Sequence, residues 1–151
     1  APLGWHLCLH LDGAMLPGLL PRLTALPLPF VIDHMGRLKA ADGLASPAMR
    51  AMLALAEVPQ AWVKVSGIDR IASGRRPYAE GLPFVRALAE ALPDRCLWGT
   101  DWPHPNVAGD MPDDGELVDL LFQACPDAAL RRRILVDNPA RLYGFEPPRE
   151  R

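Results

Sequence analysis

No apolar run in this 151-residue sequence is long enough to span a bilayer, because prolines and charges interrupt every candidate stretch. There is no basic surplus: 16 Lys and Arg stand against 18 Asp and Glu, for a net charge of −2. That leaves no electrostatic footing for nucleic acid, and no charge run forms a tail. There is no CxxC pair. The three cysteines, Cys8, Cys96 and Cys125, are odd in number and widely spaced, so they read as reduced thiols in a cytoplasmic protein. No GxGxxG or P-loop pattern occurs, which counts against dinucleotide and nucleotide binding. Internal repeats, low-complexity tracts and linkers are also missing, so one domain is expected. The opening Ala1-Pro2-Leu3-Gly4-Trp5 carries no basic region and does not read as a signal peptide.

What the sequence has is a repeated alternation of short apolar runs and amphipathic stretches. Trp5 to Leu11 is extended and apolar, and Leu16, Leu19, Leu20 and Leu23 then share a helical face that Pro21 should shorten or kink. Phe30-Val31-Ile32 is a second strand. Ser46-Pro47 is a helix start, a capping residue followed by proline at the first helical position, with Met49, Met52, Leu53 and Ala56 behind it. Trp62 to Ser66 is a third strand, and a helix with Val85, Leu88, Ala89 and Leu92 inward follows. Cys96-Leu97-Trp98 is a fourth. Asp113 and Asp114 open a helix over Leu117, Leu120, Leu121 and Ala124, and Asp127 opens another, which Asn138-Pro139 should interrupt.

Continuous apolar strands separated by helices indicate a parallel α/β sheet. In such folds the strands' carboxyl ends lie on one side, and that side carries the chemistry. The residues that follow the four strands are His10 and Asp12, then Asp33, His34 and Arg37, then Asp69 and Arg70, then Asp101 and His104. The last pair belongs to Gly99-Thr100-Asp101-Trp102-Pro103-His104, a proline-stiffened loop at a strand end. On its residues alone it reads equally well as an active-site wall or as a turn capped by Asp101.

Three stretches taken together resemble one branch of the amidohydrolase superfamily, the 2-pyrone-4,6-dicarboxylate lactonase-like proteins. They are Val31-Ile32-Asp33-His34-Met35-Gly36-Arg37, Val63-Lys64-Val65-Ser66-Gly67 with Arg70, and Gly99 to His104. The closing Asn138-Pro139-Ala140-Arg141-Leu142-Tyr143-Gly144-Phe145 is similar to the last helix of that branch. The resemblance implies a metal-dependent-hydrolase-like fold, a distorted (β/α)₈ TIM barrel of typically about 250 residues. Four strand–helix units and no His-x-His motif lead us to expect that residues 1–151 are the C-terminal part of a single barrel domain, with the N-terminal strands missing.

The same resemblance implies a hydrolase that opens a small carboxylated lactone, a 2-pyrone-4,6-dicarboxylate-like compound or a sugar lactone. Asp101 would be the general base and His34 the group that polarises the carbonyl. Arg37 and Arg70 would bind substrate carboxylates through their planar forks, with His10 as a further substrate contact and His104 as either another contact or a residue standing just behind the contacts. Histidine at position 10 departs from the tyrosine expected there. No metal is expected; zinc held by His34 and Asp101 is the runner-up. Alternatives are a metal-dependent decarboxylase or amide hydrolase of the superfamily, and a non-catalytic anion- or partner-binding domain. Open strand edges also predict association into homo-oligomers.

Overall fold

The computed structural model describes residues 3–72, 76–105, 107 and 109–146. Four parallel strands form one sheet in the order β1 (Leu7–Leu9), β2 (Phe30–Ile32), β3 (Ala61–Lys64) and β4 (Cys96–Leu97). Ile32 lies opposite Val63, and Lys64 opposite Leu97. Spatial order equals chain order, so right-handed crossovers put the connecting helices on one face. A doubly wound sheet would reverse its order part-way and carry helices on both faces. The one-sided winding is that of a barrel wall, about half of a (β/α)₈ barrel.

The two faces of the sheet follow from the period-2 alternation of strand side chains. Phe30, Ile32, Ala61, Val63 and Cys96 belong to the large core beneath the helices. Val31, Trp62 and Leu97 form a separate cluster on the inner face, joined among the described residues by Leu142. Among the described residues the edge strand β1 pairs with β2 alone, and its Leu7 and Cys8 are exposed.

The helices are α1 (Leu16–Thr24), α2 (Pro47–Ala54), α3 (Ile68–Ile71), α4 (Leu82–Ala91), α5 (Asp114–Ala124), α6 (Ala128–Arg132) and α7 (Asn138–Tyr143). α1 runs through Pro21 for only nine residues. Ser46 Oγ accepts the Met49 N–H at 3.2 Å, the cap expected for α2. Beyond α2 the chain carbonyls are gathered by Arg95, whose guanidinium donates to Ala56 O at 2.5 Å, to Ala61 O at 3.2 Å and to Val58 O. The Asp113 carboxylate accepts the Glu116 N–H at 3.1 Å and opens α5. No helix among the described residues is long and apolar enough to cross a membrane.

The expected interruption at Asn138-Pro139 does not occur. A π turn over Arg133–Asp137 carries α6 into α7 without a break, and Pro139 falls just after that turn. Asn138 is 1% exposed, and its Nδ2 donates to Pro93 O at 3.0 Å and Cys96 O at 2.8 Å. α7 is thereby fastened to the N-terminal end of β4. It lays Leu142 on the inner cluster and sets the Arg141 guanidinium 5.1 Å from the centre of the Trp62 ring. This end of the sheet is closed by α7, and the opposite end carries the polar loops.

Candidate active site

After β2 the backbone turns left-handed at His34, Met35, Gly36 and Arg37, with φ of 51°, 50°, 60° and 50°. Three of these residues carry a Cβ, and each costs roughly 1 kcal/mol or more in that region. The turn directs His34 across toward the end of β3. Gly67, itself at φ 72°, permits the approach, because a Cβ there would stand 3.0 Å from His34 Cβ.

His34 is buried and held at both ring nitrogens. Nδ1 lies 2.9 Å from Ser66 Oγ, and Nε2 lies 3.3 Å from Asp101 Oδ1. Asp101 sits at φ 70° in the loop after β4, which contains a cis Trp102–Pro103 peptide. An ionised Asp101 can only accept, so in the neutral ring Nε2 carries the proton and Nδ1 accepts from the Ser66 hydroxyl. Burial pushes the His34 imidazole below its ordinary value and outweighs the opposing pull of the Asp101 and Asp33 charges. The second Asp101 oxygen, Oδ2, accepts from Arg70 Nη2, which also donates to Pro105 O at 3.0 Å. Arg70 is supplied by the short helix α3, entered through Gly67.

Next to this cluster Lys64 Nζ donates to Asp33 Oδ1 at 2.6 Å. Burial alone would lower the Lys64 ammonium, but the hydrogen bond and charge of Asp33 together raise it. The strand-end residues thus form one network of His34, Ser66, Asp101 and Arg70, with a neutralised Lys64–Asp33 pair adjoining it. A carboxylate beside a neutral imidazole N–H and a guanidinium can hold a water, accept its proton and stabilise negative charge on oxygen.

The remaining candidates lie further out. The exposed His10 ring, beyond β1, is 5.7 Å from the His34 ring centre in an edge-to-face arrangement. His104 is buried with Nε2 3.0 Å from Asp114 Oδ1, and its backbone N–H donates to Asp101 O at 2.8 Å. Its ring therefore ties the Asp101 loop to the start of α5 instead of joining the network. Arg37 is exposed and shares a small surface cavity with Asp12, Lys39 and Asp42.

Sequence reasoning missed Ser66 and the Asp33–Lys64 pair. Period-2 alternation carries the signal: Trp62, Lys64 and Ser66 fall on the inner face of β3 and its extension, and Asp33 falls two residues after Val31. His34 and Asp101, the two ligands that the zinc alternative would use, lie side by side, Nε2 to Oδ1 at 3.3 Å. No group of three or more His, Cys, Asp or Glu could hold a metal ion among the described residues, and both ring nitrogens of His34 are engaged.

The amidohydrolase family model matches residues 1–145, nearly the whole chain. The chain belongs to that family. This amidohydrolase is 42% identical over 144 residues to a 4-sulfomuconolactone hydrolase of Rhizobium radiobacter, covering 94% of this chain and 48% of that protein. It is 42% identical over 152 residues to a 2-pyrone-4,6-dicarboxylate hydrolase of Comamonas testosteroni, covering 95% of this chain and 50% of that protein. A ligand-free crystal structure of an Agrobacterium tumefaciens protein superposes with a TM-score of 0.86 at 35% identity, over 97% of this chain and 53% of that one. The amidohydrolase chain therefore spans about half the length of the curated relatives it matches.

Proposed function

We propose that this chain carries the base and oxyanion side of a lactone-hydrolysing site, and that residues 1–151 are the C-terminal part of a single (β/α)₈ barrel domain. The observation that supports it most is the Asp101 carboxylate at the end of β4, set between His34 Nε2 at 3.3 Å and Arg70. The names of the relatives, a muconolactone hydrolase and a pyrone dicarboxylate hydrolase, support the substrate class. Asp101 takes a proton from water, and the hydroxide adds to the lactone carbonyl carbon. The carbonyl electrons move to oxygen, where the His34 Nε2–H, turned from Asp101 as that carboxylate takes up its proton, receives the charge. Collapse of that tetrahedral centre expels the ring oxygen, which takes the proton from Asp101. The ring opens to a hydroxy acid or its keto tautomer.

Arg70 then has a substrate carboxylate as partner, with Arg37 offering a second charge at the neighbouring strand end. His10 lies where it meets the substrate edge. His104 serves by holding the Asp101 loop on Asp114. Replacing Asp101 by Asn keeps the shape and removes the base. Turnover in the full-length protein should fall by about 10²–10⁴-fold, with substrate binding retained in equilibrium dialysis. A variant with near-normal kcat removes Asp101 from the role.

The guanidinium charges supply what a Lewis acid would otherwise give, so activity should survive exhaustive chelation. Loss on chelation with recovery on adding zinc would favour the metal-dependent decarboxylase or amide hydrolase reading instead.

A further inference from the structure

Resting on that hydrolytic reading, we propose that Arg70 is a substrate-operated latch on the base: a carboxylate on the lactone draws the guanidinium off Asp101 and frees it to take a proton from water. Both Asp101 oxygens are occupied in this structure, Oδ1 by His34 and Oδ2 by Arg70. Among the described residues the hold of Arg70 is one-armed. Its Nη2 is shared between Asp101 and the Pro105 carbonyl, and its Nε is buried without an acceptor among the described residues.

Nε and Nη2 together form the side of a guanidinium that makes two parallel bonds to one carboxylate. An anion that engages both satisfies the orphaned donor as well, so it competes well against the single bond to Asp101. The side chains of Arg70 and Asp101 are 18% and 15% exposed, which leaves the pair open to a ligand at its rim. Asp101 does not depend on Arg70 for its position. Its carbonyl accepts from His104 N–H at 2.8 Å, and the His104 ring is anchored on Asp114 at 3.0 Å.

A neutral lactone gives Arg70 no reason to move. It can occupy the site while the base stays engaged, so the preference for carboxylated substrates is exerted on turnover and not on binding alone. A guanidinium that only binds substrate would change KM and leave the turnover of neutral lactones untouched.

The test divides the substrate into pieces. The full-length protein is assayed with unsubstituted 2-pyrone, with and without acetate, and with chloride at matched ionic strength as the control. Acetate should raise kcat for 2-pyrone saturably by roughly tenfold, the scale on which one charge-assisted hydrogen bond shifts an equilibrium. Arg70→Met should raise 2-pyrone turnover by a similar factor and abolish the acetate response, while kcat/KM for 2-pyrone-4,6-dicarboxylate falls. Should that variant not fold, the acetate response of the unmodified protein decides by itself. Hydrolysis of the dicarboxylate with no acetate activation of 2-pyrone overturns the latch and leaves the lactonase reading standing. Hydrolysis of neither compound overturns both.

Discussion

At the scale of single residues, the site depends on one histidine staying neutral. His34 is pushed below the ordinary imidazole value of 6.5, chiefly by burial. The unfolded chain therefore takes up a proton first as the pH falls. Its contribution to stability is level above pH 6.5 and declines below it, because protonation favours the unfolded state. Urea midpoints should drop between pH 6.5 and 5, and a His34→Gln variant should flatten that drop. The acid limb of kcat should likewise lie below pH 6.5; a limb above it would contradict a neutral His34. The Asp101 loop and the residues that follow β2 were legible as candidates because both are runs of unusual residues at strand ends. Ser66 and Lys64 were not, since a serine and a lysine in a strand look alike whether they face solvent or the inside of a barrel. Only the register with Trp62 decides, and register needs the neighbouring strand. The sequence offers His104 either as a substrate contact or as a residue behind one, and its bond to Asp114 ties the loop to α5.

At the scale of elements, helix starts were readable from capping chemistry and the left-handed turn was not. Ser46, Asp113 and Asp127 each accept a backbone N–H at the head of their helices, as their side chains favour. Met35 and Arg37 have no local preference for positive φ, so that turn is imposed by tertiary packing around Gly36 and Gly67. The joint between α6 and α7 shows the same limit, since Pro139 suggests a break and the chain answers with a π turn. Asn138 is the price of that joint's stability. Its Nδ2 serves two carbonyls of the β4 entrance in a site 1% exposed. Asn138→Ala leaves both without that donor and should cost about 2 kcal/mol, read as a lowered urea midpoint. A loss under 0.5 kcal/mol would mean that water replaces the amide.

At the scale of the whole molecule, β1 pairs on one side only, with Leu3 and Trp5 70% and 71% exposed just before it. Unpaired strand groups beside exposed apolar side chains favour association. The 151-residue chain, expressed alone, should scatter light as dimers or larger assemblies and show no lactone hydrolysis. A stable monomer that turns lactones over would contradict both the edge argument and the half-barrel proposal. The two ends of the sheet have a further consequence. α7 secures the molecule at one end, while His10 and Arg37 stand exposed at the other. On the proposed lactone-hydrolysing reading, substitutions at positions 10 and 37 change the rim of the site without re-solving the folding problem, which makes this architecture a ready substrate for diversification.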